Sequence, residues 1–340
     1  VNDEFVFYTI NPHKNWDEGA EIQRLLTLCD LDMDEGIETF VVGRQGRRLV
    51  ACAGLDGDIV KCVATAPDLR GESLSLKLMG EVVNLAVEQG HLHLFLFTHP
   101  SNVSFFGGCG FYELAEMPGY VTLMENTPVG IKRYSDQLRR LAQPGEKIGC
   151  IVMNANPFTF GHQYLVRLAA SQCDWLHVFV VREDVSQFSY RDRYALVKAG
   201  VAGIPNLTLH HGSEYMVSRA TFPDYFFKEK GMVGECCSAI DLILFRKYIA
   251  PALGITHRFV GTEPFCKTTR KYNDDMKQWL QVADSSAPAV SVVEVPRTVS
   301  SNIAISASEV RRLLRSGDMA KMPALVPRDT LNFLYSNYAT

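Results

Sequence analysis

One stretch near the middle of the chain, Asn154-Ala155-Asn156-Pro157-Phe158-Thr159-Phe160-Gly161-His162, holds the parts that anion chemistry needs. It follows an apolar run, KIGCIVM, and leads into GHQYLVRLAASQC, whose spacing is helical. A helix start offers unsatisfied backbone N–H groups and the positive end of a dipole. Gly161 lets the backbone approach a phosphate closely. His162 can donate a hydrogen bond to a phosphate oxygen and stabilise charge in a phosphoryl-type transition state, and Thr159 can donate another. Asn154, Asn156 and Phe158 complete this candidate contact set.

A second group lies far along the chain: Ile305-Ser306-Ala307-Ser308-Glu309-Val310-Arg311. Ser306 followed by Glu309 is a capping box, which accounts for that spacing structurally. Ser308 and Arg311 are three apart and share a helix face. A guanidinium there can hold β- or γ-phosphate oxygens in a fork. Arg182, Arg191, Arg193 and Arg270 are further candidates for phosphate or substrate contact, each more readily read as part of a solvated helix face. Gly261-Thr262-Glu263 directly follows the run THRFV, a position suited to meeting a nucleotide.

The elements that must position these residues alternate. After residue 146 the apolar runs KIGCIVMNA, WLHVFVV, LTLHHG, THRFVG and VSVVEVPR are separated by stretches with helical spacing. Strand–helix alternation predicts a parallel sheet covered on both faces, with ligands outside the carboxyl ends of its strands. Residues 1–123 read differently, as an α+β domain. FVFYTI is a strand, Trp16 to Leu31 a helix, and 38–65 three antiparallel strands turning at Gln45-Gly46 and Asp56-Gly57. A long helix, Leu74 to Glu88, ends at Gly90, and HLHLFLFT is a further strand. Phe111 to Leu123 suggests a helical turn or a hairpin. Residues 124–146, with a polar helical stretch between Pro128-Gly130 and Pro144-Gly145, read as a linker, leaving 147–340 as the second domain.

Composition narrows the function classes. The chain has 340 residues, about two domains' worth. Lys+Arg number 34 against 38 Asp+Glu, a net charge of −4, which argues against non-specific nucleic-acid binding. The 9 cysteines include no C-x-x-C pair, which suits neither a zinc cluster nor a redox pair. No run approaches the roughly 18 apolar residues of a membrane span, and the first residues lack a signal-peptide core. The expectation is a reduced, soluble, cytoplasmic protein.

The two phosphate motifs at opposite ends of one α/β domain resemble the nucleotidyltransferase superfamily, with its His/Thr-x-Gly-His and Ile-Ser-x-Ser/Thr-x-x-Arg signatures. The segment DIVKCVATAPDLRGESLSLKLMG resembles the acyl-CoA-binding loop of GNAT acetyltransferases. Arg70 and Gly71 match that loop, whereas Ser73 and Ser75 stand where glycines are usual. No carboxylate stands out there as a base for amine acetylation. The order of the two domains, with NANPFTFGHQYLV, FVGTEPFCKTTRKYN and ISASEVRRLL, resembles the citrate lyase ligase family. That resemblance implies an AMP-forming acid-thiol ligase: ATP and acetate, with Mg²⁺ bridging phosphates, give acetyl-adenylate and pyrophosphate. The acetyl group then passes to the thiol of a phosphoribosyl-dephospho-CoA group on the acyl-carrier subunit of citrate lyase. Thr159, His162, Ser308 and Arg311 would neutralise the triphosphate, and Asn154 and Asn156 would orient acetate or a ribose. Gly161, Phe158, Gly261, Thr262 and Ser306 would contact the nucleotide, and Arg70 and Gly71 the CoA-like arm. Two alternatives remain open at this point. One is a coenzyme-biosynthesis adenylyltransferase acting on a phosphopantetheine or mononucleotide; the other is a non-catalytic protein that senses CoA.

Overall fold

The computed structural model describes residues 5–34, 36–69, 72–182, 186–218, 220–221, 235–262, 267–282, 285–296, 299–300 and 303–338. The described chain forms two compact units that divide between Gly130 and Ile131. The first is built on strands β1 (Phe5–Ile10), β2 (Thr39–Gln45), β3 (Arg48–Asp56), β4 (Ile59–Thr65), β5 (Phe95–Thr98), β6 (Tyr112–Met117) and β7 (Val121–Glu125). They form one sheet in the order β1-β2-β3-β4-β5-β7-β6. Every pair is antiparallel except β4 and β5, which run parallel and meet only at Ile59–Phe95 and Val60–Leu96. Helices Trp16–Leu28 and Glu72–Glu88 supply Ile22, Leu25, Leu26, Leu78 and Val82 to the core on that sheet. Asn15 caps the first of these helices through its side chain, which accepts from the Glu18 N–H. The three antiparallel strands expected over 38–65 are present, and the hairpin option for 111–123 is the one realised.

The second unit holds the alternating pattern. Its strands are β8 (Ile148–Met153), β9 (Trp175–Val180), β10 (Leu207–His211), β11 (His257–Gly261) and β12 (Ser291–Val295). They pair in parallel throughout, in the order β10-β9-β8-β11-β12. Strand order therefore reverses direction between β8 and β11, which is the topological switch point where such sheets bind ligands. Near-continuous burial along β8 and β9 explains why those segments read as apolar runs rather than alternating ones. The stretch 124–146 contains the end of β7 and a helix, Gly130–Arg139, whose Leu138 packs with Ile148 and Cys150. Two helices run on into π-helical turns, Phe245–Ile249 and Lys277–Val282, which hydrophobic spacing does not announce. No helix among the described residues is long and apolar enough to cross a membrane. Six cysteines (29, 52, 62, 109, 150 and 173) are free thiols.

One buried polar pair in this sheet makes stability depend on pH. His177 on β9 and His210 on β10 lie side by side, Nδ1 to Nε2 at 2.9 Å, both buried. Burial pushes the His177 pKa down to about 4 and, with the neighbouring His177 and His211, that of His210 down to about 3. Both imidazoles are neutral in the fold, whereas in the unfolded chain each titrates near the ordinary value of about 6.5. Below that value the unfolded state binds more protons, so stability is full above it and falls as pH drops toward 4. The slope is up to about 1.4 kcal/mol per pH unit for each histidine. Urea unfolding of the protein should show a lower midpoint at pH 5 than at pH 7; equal midpoints would contradict this assignment.

Candidate functional site

Both motifs come together at the switch point. A cavity of about 380 Å³ is walled by the ends of β8, β11 and β12 and by the starts of helices Phe160–Ser171 and Ala307–Ser316. Asn154, Asn156, Thr159, Gly161, His162, Gly261, Ser306, Ser308 and Arg311 all line it. Two helix N-termini, of 12 and 10 residues, thus open on one space, each carrying roughly half a positive charge. No Asp or Glu stands among the described residues of the wall. Arg311 is the one ionised group among the described residues of the wall, an arrangement whose charge suits an anion.

His162 is held in a defined state. Thr159 caps the first helix, and His162 returns the favour in a capping box. The Thr159 backbone N–H lies 3.1 Å from Nδ1 of His162 and the Thr159 hydroxyl 2.9 Å from it. A backbone N–H only donates, so Nδ1 is the acceptor and the ring proton of the neutral imidazole sits on Nε2. The sequence reading made Thr159 a phosphate donor. In the structure Thr159 lines the cavity at 1% exposure with its hydroxyl against the imidazole, so it also orients His162.

Arg311 joins the two motifs directly. Its Nη1 donates to the Asn156 carbonyl at 2.5 Å and its Nη2 to Ser308 Oγ at 3.2 Å. Burial, and then the like charge of Arg315, lower its pKa, but a guanidinium remains ionised at any working pH. Ser306 accepts from the Glu309 N–H at 3.1 Å, as the capping box requires. The other half of that box is absent, because Glu309 pairs with Arg312 at 2.6 and 2.8 Å instead. Gly161 lines the cavity and has a second, structural task. A Cβ there would lie 3.2 Å from the Ile305 carbonyl, so glycine is what lets the two motifs approach each other.

Other expected residues are placed elsewhere. Phe158 is fully buried beneath the wall rather than in it, and its ring stacks on His162 at 5.7 Å between centroids. Behind it, a Cβ on Gly200 would come within 2.1 Å of the Phe158 ring. Gly200→Ala should therefore destabilise the protein by roughly 1–3 kcal/mol in chemical denaturation, and an unchanged stability would show that the ring has room to move. Thr262 lies beyond the cavity wall, its N–H donated to the Val295 carbonyl at 2.9 Å. Arg182 is exposed and paired with Glu214, and Arg191 and Arg270 are exposed. Arg193 is neither exposed nor a cavity residue: it is completely buried. Arg70, Gly71 and Glu263 lie outside the described residues. In the first unit, a cavity of about 450 Å³ opens where β4 and β5 part, between Lys61–Val63 and Leu96–Thr98.

Sequence reasoning did not pick out Tyr164, Pro296 or Asn273. Tyr164 and Pro296 line the cavity, and the Asn273 amide holds the Gly261 carbonyl at 3.1 Å. Tyr164 lies two residues past His162, which was a usable signal. Asn273 acts across a tertiary contact that spacing does not reveal.

A parallel sheet whose switch point carries two converging helix starts, an oriented imidazole and a guanidinium defines a nucleotide-binding α/β domain of the nucleotidyltransferase type. Residues 148–334 match the citrate lyase ligase C-terminal domain family. Over 315 residues the chain is 50% identical to citrate (pro-3S)-lyase ligase of Escherichia coli (strain K12), covering 93% of this chain and 90% of that one. It is 51% identical over 313 residues to the Klebsiella pneumoniae protein of the same name, covering 92% and 91%. The chain belongs to the citrate lyase ligase family, whose members are ligases. Among solved structures, Escherichia coli ElaA is similar over 36% of this chain and 100% of its own, with a TM-score of 0.33 and 16% identity.

Proposed function

We propose that the protein acetylates, at the expense of ATP, the thiol of the CoA-like prosthetic group on the acyl-carrier subunit of citrate lyase, in the cytoplasm. The observation that carries this reading is the single cavity shared by His162 and Arg311 at the switch point. ATP lies there with its phosphates between the two helix starts. An acetate oxygen attacks the α-phosphorus, the bond to the β-phosphate oxygen breaks, and pyrophosphate leaves. Acetate is ionised at neutral pH and needs no protein base. His162 Nε2–H and Arg311 stabilise charge that grows on the phosphate oxygens. The carrier thiolate then attacks the carbonyl carbon of acetyl-adenylate, and AMP leaves. Relatives named for citrate lyase support the acceptor.

ATP ordinarily carries Mg²⁺, which supplies further charge neutralisation between phosphates. Protein sites for that ion use one or two carboxylates, and the described cavity wall has none. The residues present therefore do not fit a protein-held ion, and no step is assigned to one. The first unit is proposed to receive the CoA-like arm through the loop 69–76. Changing Arg70 and Gly71 to bulky acidic residues should raise the KM for the carrier and spare acetate-dependent pyrophosphate exchange.

The test of the reaction is ATP–pyrophosphate exchange across a panel of carboxylic acids. Exchange that depends on acetate is the expected result. Exchange only with a pantetheine phosphate would favour the adenylyltransferase reading, and no exchange with any acid would favour a binding protein.

A further inference from the structure

Among the described residues Arg193 is the largest fully buried side chain, and it is charged. It lies on helix Tyr190–Val201, beside Leu196, Val197 and Val201 on the helix's buried face. Its Nη1 lies 2.8 Å from the Val181 carbonyl, 2.9 Å from the Asn154 carbonyl and 2.8 Å from Asn154 Oδ1; its Nε lies 3.2 Å from the Phe188 carbonyl. One guanidinium thus ties together the residues that follow β8 and β9 and the turn into the next helix. The Phe188 N–H in turn donates to Asn156 Oδ1 at 3.2 Å. Such a burial is costly and persists only where every donor is well used.

The consequence is chemical as well as structural. A guanidinium has donors and no acceptor, so the atom of Asn154 that faces it must be the oxygen. The amide nitrogen, with two hydrogens, is then turned the other way. It lies 3.1 Å from Ser186 Oγ, and Asn154 is an exposed residue of the cavity wall. One amide hydrogen goes to Ser186, whose Oγ also lies 3.3 Å from Oδ1, and the second leaves Asn154 a hydrogen-bond donor for the cavity at the end of β8. An amide donor with no carboxylate among the described residues of the wall suits an anionic oxygen.

We propose that Arg193 is a positioning residue that fixes Asn154 as a donor to the carboxylate of the acid substrate. This rests on the adenylating reading above and names the residue pair that would select and orient the acid. Asn154→Asp keeps the shape and the Arg193 contact but replaces the donor with a negatively charged oxygen. Arg193→Lys keeps the charge but loses the fork that aligns the amide.

The experiment is ATP–pyrophosphate exchange with acetate and ATP varied separately, for wild type, both single variants and the double variant. Asn154→Asp should raise the KM for acetate at least tenfold and leave the KM for ATP within about threefold. Arg193→Lys should shift the acetate KM in the same direction, and the double variant should be little worse than Asn154→Asp alone. If the Arg193→Lys protein does not fold, the Asn154→Asp split decides the matter by itself. Wild-type exchange with an acetate KM unmoved in Asn154→Asp, or both KM values raised equally, would overturn this inference and leave the reaction standing. Wild-type protein without acetate-dependent exchange would overturn the reaction, and the inference with it.

Discussion

His162→Ala should lower the rate of ATP–pyrophosphate exchange by about a hundred- to a thousandfold, the loss that follows removal of one preorganised donor to a developing oxyanion. The imidazole has two tasks that separate variants can tell apart. Nδ1 accepts from the Thr159 N–H and so caps helix Phe160–Ser171, while Nε2 carries the proton that would meet phosphate. Alanine removes both and should also cost about 1 kcal/mol of stability. Asparagine can place its oxygen near the Nδ1 position, so His162→Asn should recover stability and not activity. Steady-state exchange and urea denaturation on the two variants measure this directly. An asparagine variant with near-normal exchange would show that the histidine is a capping residue and nothing more.

Arg311→Ala should raise the KM for ATP and lower kcat, with kcat/KM falling by roughly a hundredfold or more. The hold on phosphate oxygens is lost together with the 2.5 Å bond to the Asn156 carbonyl that joins the two motifs and the 3.2 Å bond to Ser308 Oγ. Arg311→Lys retains the charge and cannot span both Asn156 and Ser308, so it should recover only part of the loss. Binding of AMP, which lacks the β- and γ-phosphates, should weaken far less than binding of ATP. Equal weakening of both nucleotides would place the guanidinium elsewhere on the ligand.

The two helix starts of the candidate site are visible in the sequence because each motif is local. Ser306 and Glu309, or Thr159 and His162, lie within one turn of each other, and the preceding strands are apolar runs. Their convergence was an inference from strand–helix alternation, and the switch point between β8 and β11 supplies its geometry. What was not legible was which polar residues would be buried. Arg193 looked like a solvated or substrate-facing arginine in YRDR. It falls in register with Leu196, Val197 and Val201, however, and a charge on an apolar stripe is a sign of a buried strut. Phe158 and Thr159 looked like contact residues because they lie inside the motif. Their neighbours show more: Gly200 makes room for the Phe158 ring beneath the wall, and Thr159, although it lines the cavity, has its hydroxyl against the His162 ring. Gly161 lines the cavity as the motif suggests, and what the motif does not show is its close packing against Ile305, a contact between segments more than 140 residues apart.

The central claim is that the helix starts at Phe160 and Ala307 hold one triphosphate between them. Its most direct test is a crystal structure of the protein with a non-hydrolysable ATP analogue. The account predicts phosphate oxygens within hydrogen-bonding distance of both His162 Nε2 and the Arg311 guanidinium, in the cavity at the ends of β8 and β11. Phosphates bound against only one of the two helix starts, or a nucleotide bound away from that cavity, would contradict it.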